Sequence, residues 1–192
     1  MRTSIRAARA GFVIVVGLIV TLALTNPAVG SIADGRPATS PTGRETTGET
    51  AREVKVYFSR HPESDADMTA VFPVTRTAPD AGVARAALQA LVAGPTQAET
   101  DAGYFSELGS MLVGPSSCGA DDATIRISDG AATVRFCRDV RSAGIGQDAR
   151  AQSAINATLK QFSTIQRVRL LTREGDCLFD MSGENRCLAP GP

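Results

Sequence analysis

Residues 91–106, LVAGPTQAETDAGYFS, leave the backbone few paths, and the rest of the fold has to fit around them. Ahead of and into this run, Val83, Ala84, Ala87, Leu88, Leu91 and Val92 recur at three- and four-residue steps and share one helical face. Gly94 stands where that helix must end in a left-handed residue, and Pro95 has no N–H with which to continue it. Thr96-Gln97-Ala98-Glu99 then has the T-x-x-E spacing of a capping box. Thr96 would satisfy a free N–H of a new helical turn, and Glu99 would bond back to Thr96. A loop cradling an anion at that helix start is the alternative, but the Lys and the run of glycines that a phosphate loop supplies are missing. Punctuation between two elements is the favoured reading.

The flanking segments extend the pattern. Residues 53–58 alternate, with Val54, Val56 and Phe58 on one face, and predict a half-buried strand. Residues 70–77, AVFPVTRT, predict a second strand, at an edge or bulged because Pro73 cannot donate to a ladder. Pro79 and Asp80 open the helix that runs to Ala93. Ile125 and Ile127, then Asp129-Gly130, then Val134 and Phe136 read as a hairpin, since both turn residues tolerate positive φ. Residues 148–162 form a second amphipathic helix with Ala151, Ile155, Leu159 and Phe162 inward, and residues 165–172 form another strand. The expected fold is α+β: a small, largely antiparallel sheet with two main helices packed on one face, within a domain over 53–188.

What precedes that domain predicts export. Arg2, Arg6 and Arg9 stand before the apolar run 11–24, and Ala28-Val29-Gly30 supplies the small residues of a signal-peptidase site. No charge lies between Arg9 and Asp34, so residues 1–30 are a signal peptide or an uncleaved anchor. Either one sends the rest of the chain outward, secreted or held at the outer face of the cytoplasmic membrane. Residues 31–52 are rich in Thr, Gly, Ser and Pro and predict a flexible linker with a mean span of about 25 Å. Cys118, Cys137, Cys177 and Cys187 fit an oxidising address. Three pairings are open, and the local ones, Cys118–Cys137 and Cys177–Cys187, are favoured because Ser182-Gly183-Glu184-Asn185 reads as a turn.

Twenty basic and 20 acidic residues balance, and no basic run is interleaved with aromatics, so nucleic acid is not an expected partner. Ser59, His61 and Asp65 are triad types, but they lie within seven residues of one segment, whereas triad members converge from separate elements. Asp65 with Asp67, and Asp121 with Asp122, lack the spacing of a cation loop. With one His and no C-x-x-C pair, neither a metal site nor a cofactor is expected. Asn156-Ala157-Thr158 is a formal glycosylation sequon, discounted because it lies inside a predicted helix. No catalytic residue is assigned. Arg76, Tyr104 and Ser106 are the candidates for a binding surface, and Tyr104 equally suits a core edge with its hydroxyl in water.

Taken in order, Val56-Tyr57-Phe58, Phe72-Pro73-Val74-Thr75-Arg76, Ala84-Arg85-Ala86-Ala87-Leu88, residues 91–96 (LVAGPT), Glu99, Gly103-Tyr104 and Ser106 resemble the GerMN domain of sporulation and spore-germination proteins. Asp129-Gly130, Ala132-Thr133-Val134 and residues 168–171 complete the likeness, which spans 54–175 in a single copy. The resemblance implies a small envelope domain without catalytic residues, similar in fold to ring-building modules of secretion machines and acting in assembly or interaction. The cysteines and the loop around Cys118 depart from the family pattern, and no lipobox cysteine lies near Gly30. The expected function is therefore that of an exported, non-enzymatic interaction domain. Its partner would be an envelope protein or a second copy, with membrane contact only through the N-terminal segment. The alternatives are binding of cell-wall material or a small ligand and, behind that, a wall hydrolase.

Overall fold

The computed structural model describes residues 50–189. The expected signal or anchor over 1–30 and the linker as far as residue 49 lie outside the described residues. The first strand, β1 (Ala51–Arg60), is longer at both ends than its alternating centre. It pairs antiparallel with β2 (Phe72–Pro79) over eight residue pairs, from Ala51 opposite Pro79 to Phe58 opposite Phe72. Pro73 sits in β2, an edge strand, where its missing N–H interrupts no inner ladder. Between these strands lies the short α1 (Glu63–Ala66).

The first main helix, α2 (Val83–Ala93), starts later than Pro79 and Asp80 led one to expect. Pro79 remains in β2 opposite Ala51, and the chain turns at Gly82, whose φ is 75°. Ala84, Ala87, Leu88 and Leu91 form its buried face. Gly94 ends the helix with φ 85° and ψ −177°. That is not the left-handed cap expected from sequence but the extended positive-φ region, which is essentially restricted to glycine. Next comes α3 (Gln97–Asp101) with the capping box complete: Glu99 N–H donates to Thr96 Oγ1 (3.3 Å), and Thr96 N–H donates to Glu99 Oε2 (2.8 Å).

After α3, β3 (Tyr104–Phe105) pairs with the end of β1, opposite Arg60 and Ser59. Then follow α4 (Leu108–Met111) and β4 (Leu112–Val113), which pairs with β7 (Asp139–Val140). Between those two strands, β5 (Ala123–Ser128) and β6 (Ala131–Phe136) form the expected hairpin, with Asp129 and Gly130 at φ 50° and 70°. The second main helix is α5 (Ile145–Lys160), which begins at Gly144 and carries Asp148 in its first turn rather than at its start. Its buried face is Ala151, Ala154, Ile155, Thr158 and Leu159, and Phe162 lies beyond the helix end.

The last strand, β8 (Arg167–Leu171), is narrower than residues 165–172 and pairs parallel to β6. The α+β class holds, with the strands distributed over three small sheets, β2–β1–β3, β4–β7 and β5–β6–β8, and one parallel pair. Both main helices pack on β1 and on each other. The core they enclose includes Phe58, Leu88, Leu91, Phe136, Ile155 and Leu159, each at most 2% exposed.

One side of β1 has no strand beside its middle, and α5 supplies the missing partners. Thr158 Oγ1 accepts from Tyr57 N–H (3.0 Å), and Gln161 Oε1 accepts from Lys55 N–H (2.8 Å) while its amide donates to Lys55 C=O. Thr158 is fully buried, so the third residue of the formal sequon is a core residue. The disulfides join Cys118 to Cys137 and Cys177 to Cys187, with Cα separations of 5.6 and 5.9 Å. The second bond closes a segment that runs beside β8: Leu178 N–H donates to Leu170 C=O, and Asn185, at φ 53°, accepts from Cys177 N–H.

Candidate interaction surface

The candidate residues from the sequence gather mainly where β1, α1, β3 and the start of α5 meet. At the last residue of β1, Arg60 reaches Glu63 (Nη2 to Oε1, 2.6 Å), an i,i+3 pair set by the short turn into α1. Its guanidinium lies 4.2 Å over the Phe72 ring and 5.7 Å from that of Tyr104. The Arg60 hydrogen bond holds the Glu63 carboxyl below its ordinary value. His61 follows, stacked on Phe105 with centroids 4.3 Å apart, its Nδ1 at 2.8 Å from Asp65 Oδ2. From α5, Arg150 donates to Glu107 Oε1 (3.1 Å) and stands 5.8 Å from the centroid of the same Phe105 ring. Gln147 donates to the second Glu107 oxygen (3.1 Å).

Apolar side chains continue this surface. Met68 leans on Gly146, where an added Cβ would come within 2.9 Å of its sulfur and push the side chain aside. Met68 is 45% exposed and Ile145, next to Gly146, is 73% exposed. The result is an area of Met, Phe, Tyr and Ile threaded by Arg–carboxylate pairs that already satisfy one another. That composition matches protein–protein contacts, where aromatics, Met and Arg are enriched.

The three triad types do not all meet here. His61 and Asp65 do meet, but Ser59 is 3% exposed and shares no hydrogen bond with His61. Asp67 binds the Thr69 hydroxyl and N–H, and Asp121 binds Arg85 and Gln89. Among the described residues no three His, Cys, Asp or Glu side chains converge as a metal set.

Of the proposed binding residues, Tyr104 borders the cluster through Arg60. Ser106 is half-buried and lines, with Phe105 and Arg150, a narrow gap of about 10 Å³, at the lower limit for one water. Arg76 is engaged elsewhere: its two Nη atoms donate to the two Glu99 oxygens at 2.6 Å each, on the capping box of α3. The guanidinium is thus a structural clasp rather than an open ligand for a partner. Arg60, Phe105, Glu107 and Arg150 are not among the residues expected from sequence. The spacing of Arg60 to Glu63 was a local signal for the first; the Arg150–Glu107 pair, 43 residues apart, had none.

The profile of the Germane family, described as "Sporulation and spore germination", matches residues 55–176. The chain belongs to this family. No curated protein matches it. Among solved structures, the chain is similar to the tandem GerMN domains of the sporulation protein GerM from Bacillus subtilis, at 18% identity and a TM-score of 0.42 over 74% of this chain and 48% of that one. It is also similar to the first GerMN domain of the same protein, at 21% identity and a TM-score of 0.46 over 68% of this chain and 88% of that one. The chain spans about half the length of the tandem-domain structure. The Germane match takes in β1 from Lys55 through β8, including the candidate surface, and stops one residue before Cys177, so the C-terminal disulfide lies beyond it.

Proposed function

We propose that this Germane-family chain is an exported, non-enzymatic interaction domain of the bacterial cell envelope, which binds an envelope protein or a second copy of itself. The observation that carries the reading is the surface around Phe105, Met68 and Ile145. It exposes large apolar groups, leaves its charges internally paired and holds no nucleophile beside a base. The extracytoplasmic address is supported by two disulfides and by the basic-then-apolar N-terminal sequence. The test is cross-linking of the full chain in intact envelopes, compared with a Met68→Glu/Ile145→Glu variant. Both positions are exposed, so the variant is expected to melt with the wild type while the specific cross-linked species disappears. A cross-link that survives both substitutions, or a wild-type chain that is monomeric and captures nothing, would overturn the reading. Co-sedimentation of both proteins with purified wall material would replace it with polymer binding.

A further inference from the structure

The face of the β5–β6–β8 sheet turned away from the core carries a charge pattern that the balanced composition conceals. Register places Arg126, Thr133 and Arg169 in one row across the three strands. Thr124, Arg135 and Leu171 form the row on one side, and Ser128, Ala131 and Arg167 the row on the other. Val134, Phe136 and Leu170, alternating with them, are buried. Four arginines therefore share a patch about 10 Å wide, two strand spacings. Among the described residues none of the four forms an ion pair with a carboxylate. Arg135 and Arg169 reach only backbone carbonyls, of Arg173 and Ala189. Of the nearby acids, Glu174 is engaged with Arg173, Asp176 with Asn185, Asp180 with Ser182 and Glu184 with Arg186, while Asp129 stands in the hairpin turn at the end of the Arg167 row. Four like charges beside a single turn carboxylate repel and weaken the fold, and an anionic partner removes that cost.

No aromatic side chain stands in these rows, so nucleotide bases have no stacking platform. Beside β8, the disulfide-closed segment and its end expose Met181 (87%) and Leu188 (46%). Basic groups spread in two dimensions next to exposed apolar side chains are what a peripheral membrane contact requires, whereas a soluble acidic polymer has no use for the apolar ones. We propose that this face docks the domain on an anionic phospholipid surface. Arg126, Arg135, Arg167 and Arg169 take lipid phosphates, and Met181 and Leu188 enter the headgroup layer. This goes beyond the protein-partner reading and does not depend on it.

The chain contains no Trp, so Met181→Trp provides a single reporter. The full-length reporter is reconstituted in vesicles of phosphatidylcholine alone or mixed with phosphatidylglycerol, each containing a brominated lipid. The N-terminal apolar run is common to all samples. Quenching with a blue shift is expected in the anionic vesicles, reversed by high salt, and absent in the neutral ones. Adding Arg126→Glu and Arg169→Glu should lower the docked-to-free ratio at least about fivefold per arginine. The corresponding Lys pair, which keeps the charge, should restore docking and guards against a folding defect. Equal quenching in both vesicle types, or none lost on charge reversal, would overturn the proposal. So would an equal blue shift with a soluble phosphate polymer, which would assign the patch to a polyanion instead.

Discussion

Glu99 serves two partners at once. One carboxylate oxygen caps the Thr96 N–H at the start of α3, and the pair of oxygens accepts the Arg76 fork. The Arg76 hydrogen bonds, together with the Thr96 N–H, hold its pKa at about 2, below the ordinary 4.5. A depressed carboxylate stabilises the fold fully above its unfolded value and loses that contribution as pH falls through the folded one. Glu99→Gln should therefore melt below the wild type at neutral pH, by about 1–3 kcal/mol from the lost charge-assisted bonds. The gap should close as pH falls from about 4.5 toward 2. Thermal melts across that range test it; parallel curves would mean that Arg76 and Glu99 are not coupled in solution.

Among the elements, β1 and α5 are joined by side chains standing in for a strand. Thr158→Val keeps the shape of the buried side chain but removes the acceptor for Tyr57 N–H, and should cost about 1–3 kcal/mol. Thr158→Ser retains the hydroxyl and with it the slow exchange of the Tyr57 amide. If that amide stays equally protected in the Val protein, the bond is not what closes this side of β1. Helix α2, the hairpin and the α3 capping box were all legible in sequence, because each is a rule over residues three, four or two apart. Helix starts were less so: Pro79 obeyed its pairing with Ala51 instead of its liking for a helix start. The role of Thr158 was hidden inside a sequon, since only the approach of β1, 101 residues earlier, reveals it.

At the scale of the whole domain, both disulfides border the β5–β6–β8 sheet and neither joins a strand of β2–β1–β3. Replacing Cys177 and Cys187 by Ala should therefore cost about 2–3 kcal/mol for a loop of this length. Loss of amide protection should be concentrated at Leu170 and Leu178 and spare Val56 and Phe58. Urea titration with site-resolved exchange is the measurement, and uniform loss along the chain would show that the clip does not act locally. Convergence at this scale was the least legible part. Arg126, Arg135, Arg167 and Arg169 occupy alternate positions on three strands, and only the parallel pairing of β6 with β8 brings them together. The same holds for the contact of Arg150 with Glu107, whereas His61 and Asp65 were neighbours from the start. The eight-pair ladder between β1 and β2 begins at the point where the chain enters the domain. Tension drawn through residue 50 along that strand would load the rungs together, in shear, instead of peeling them one by one.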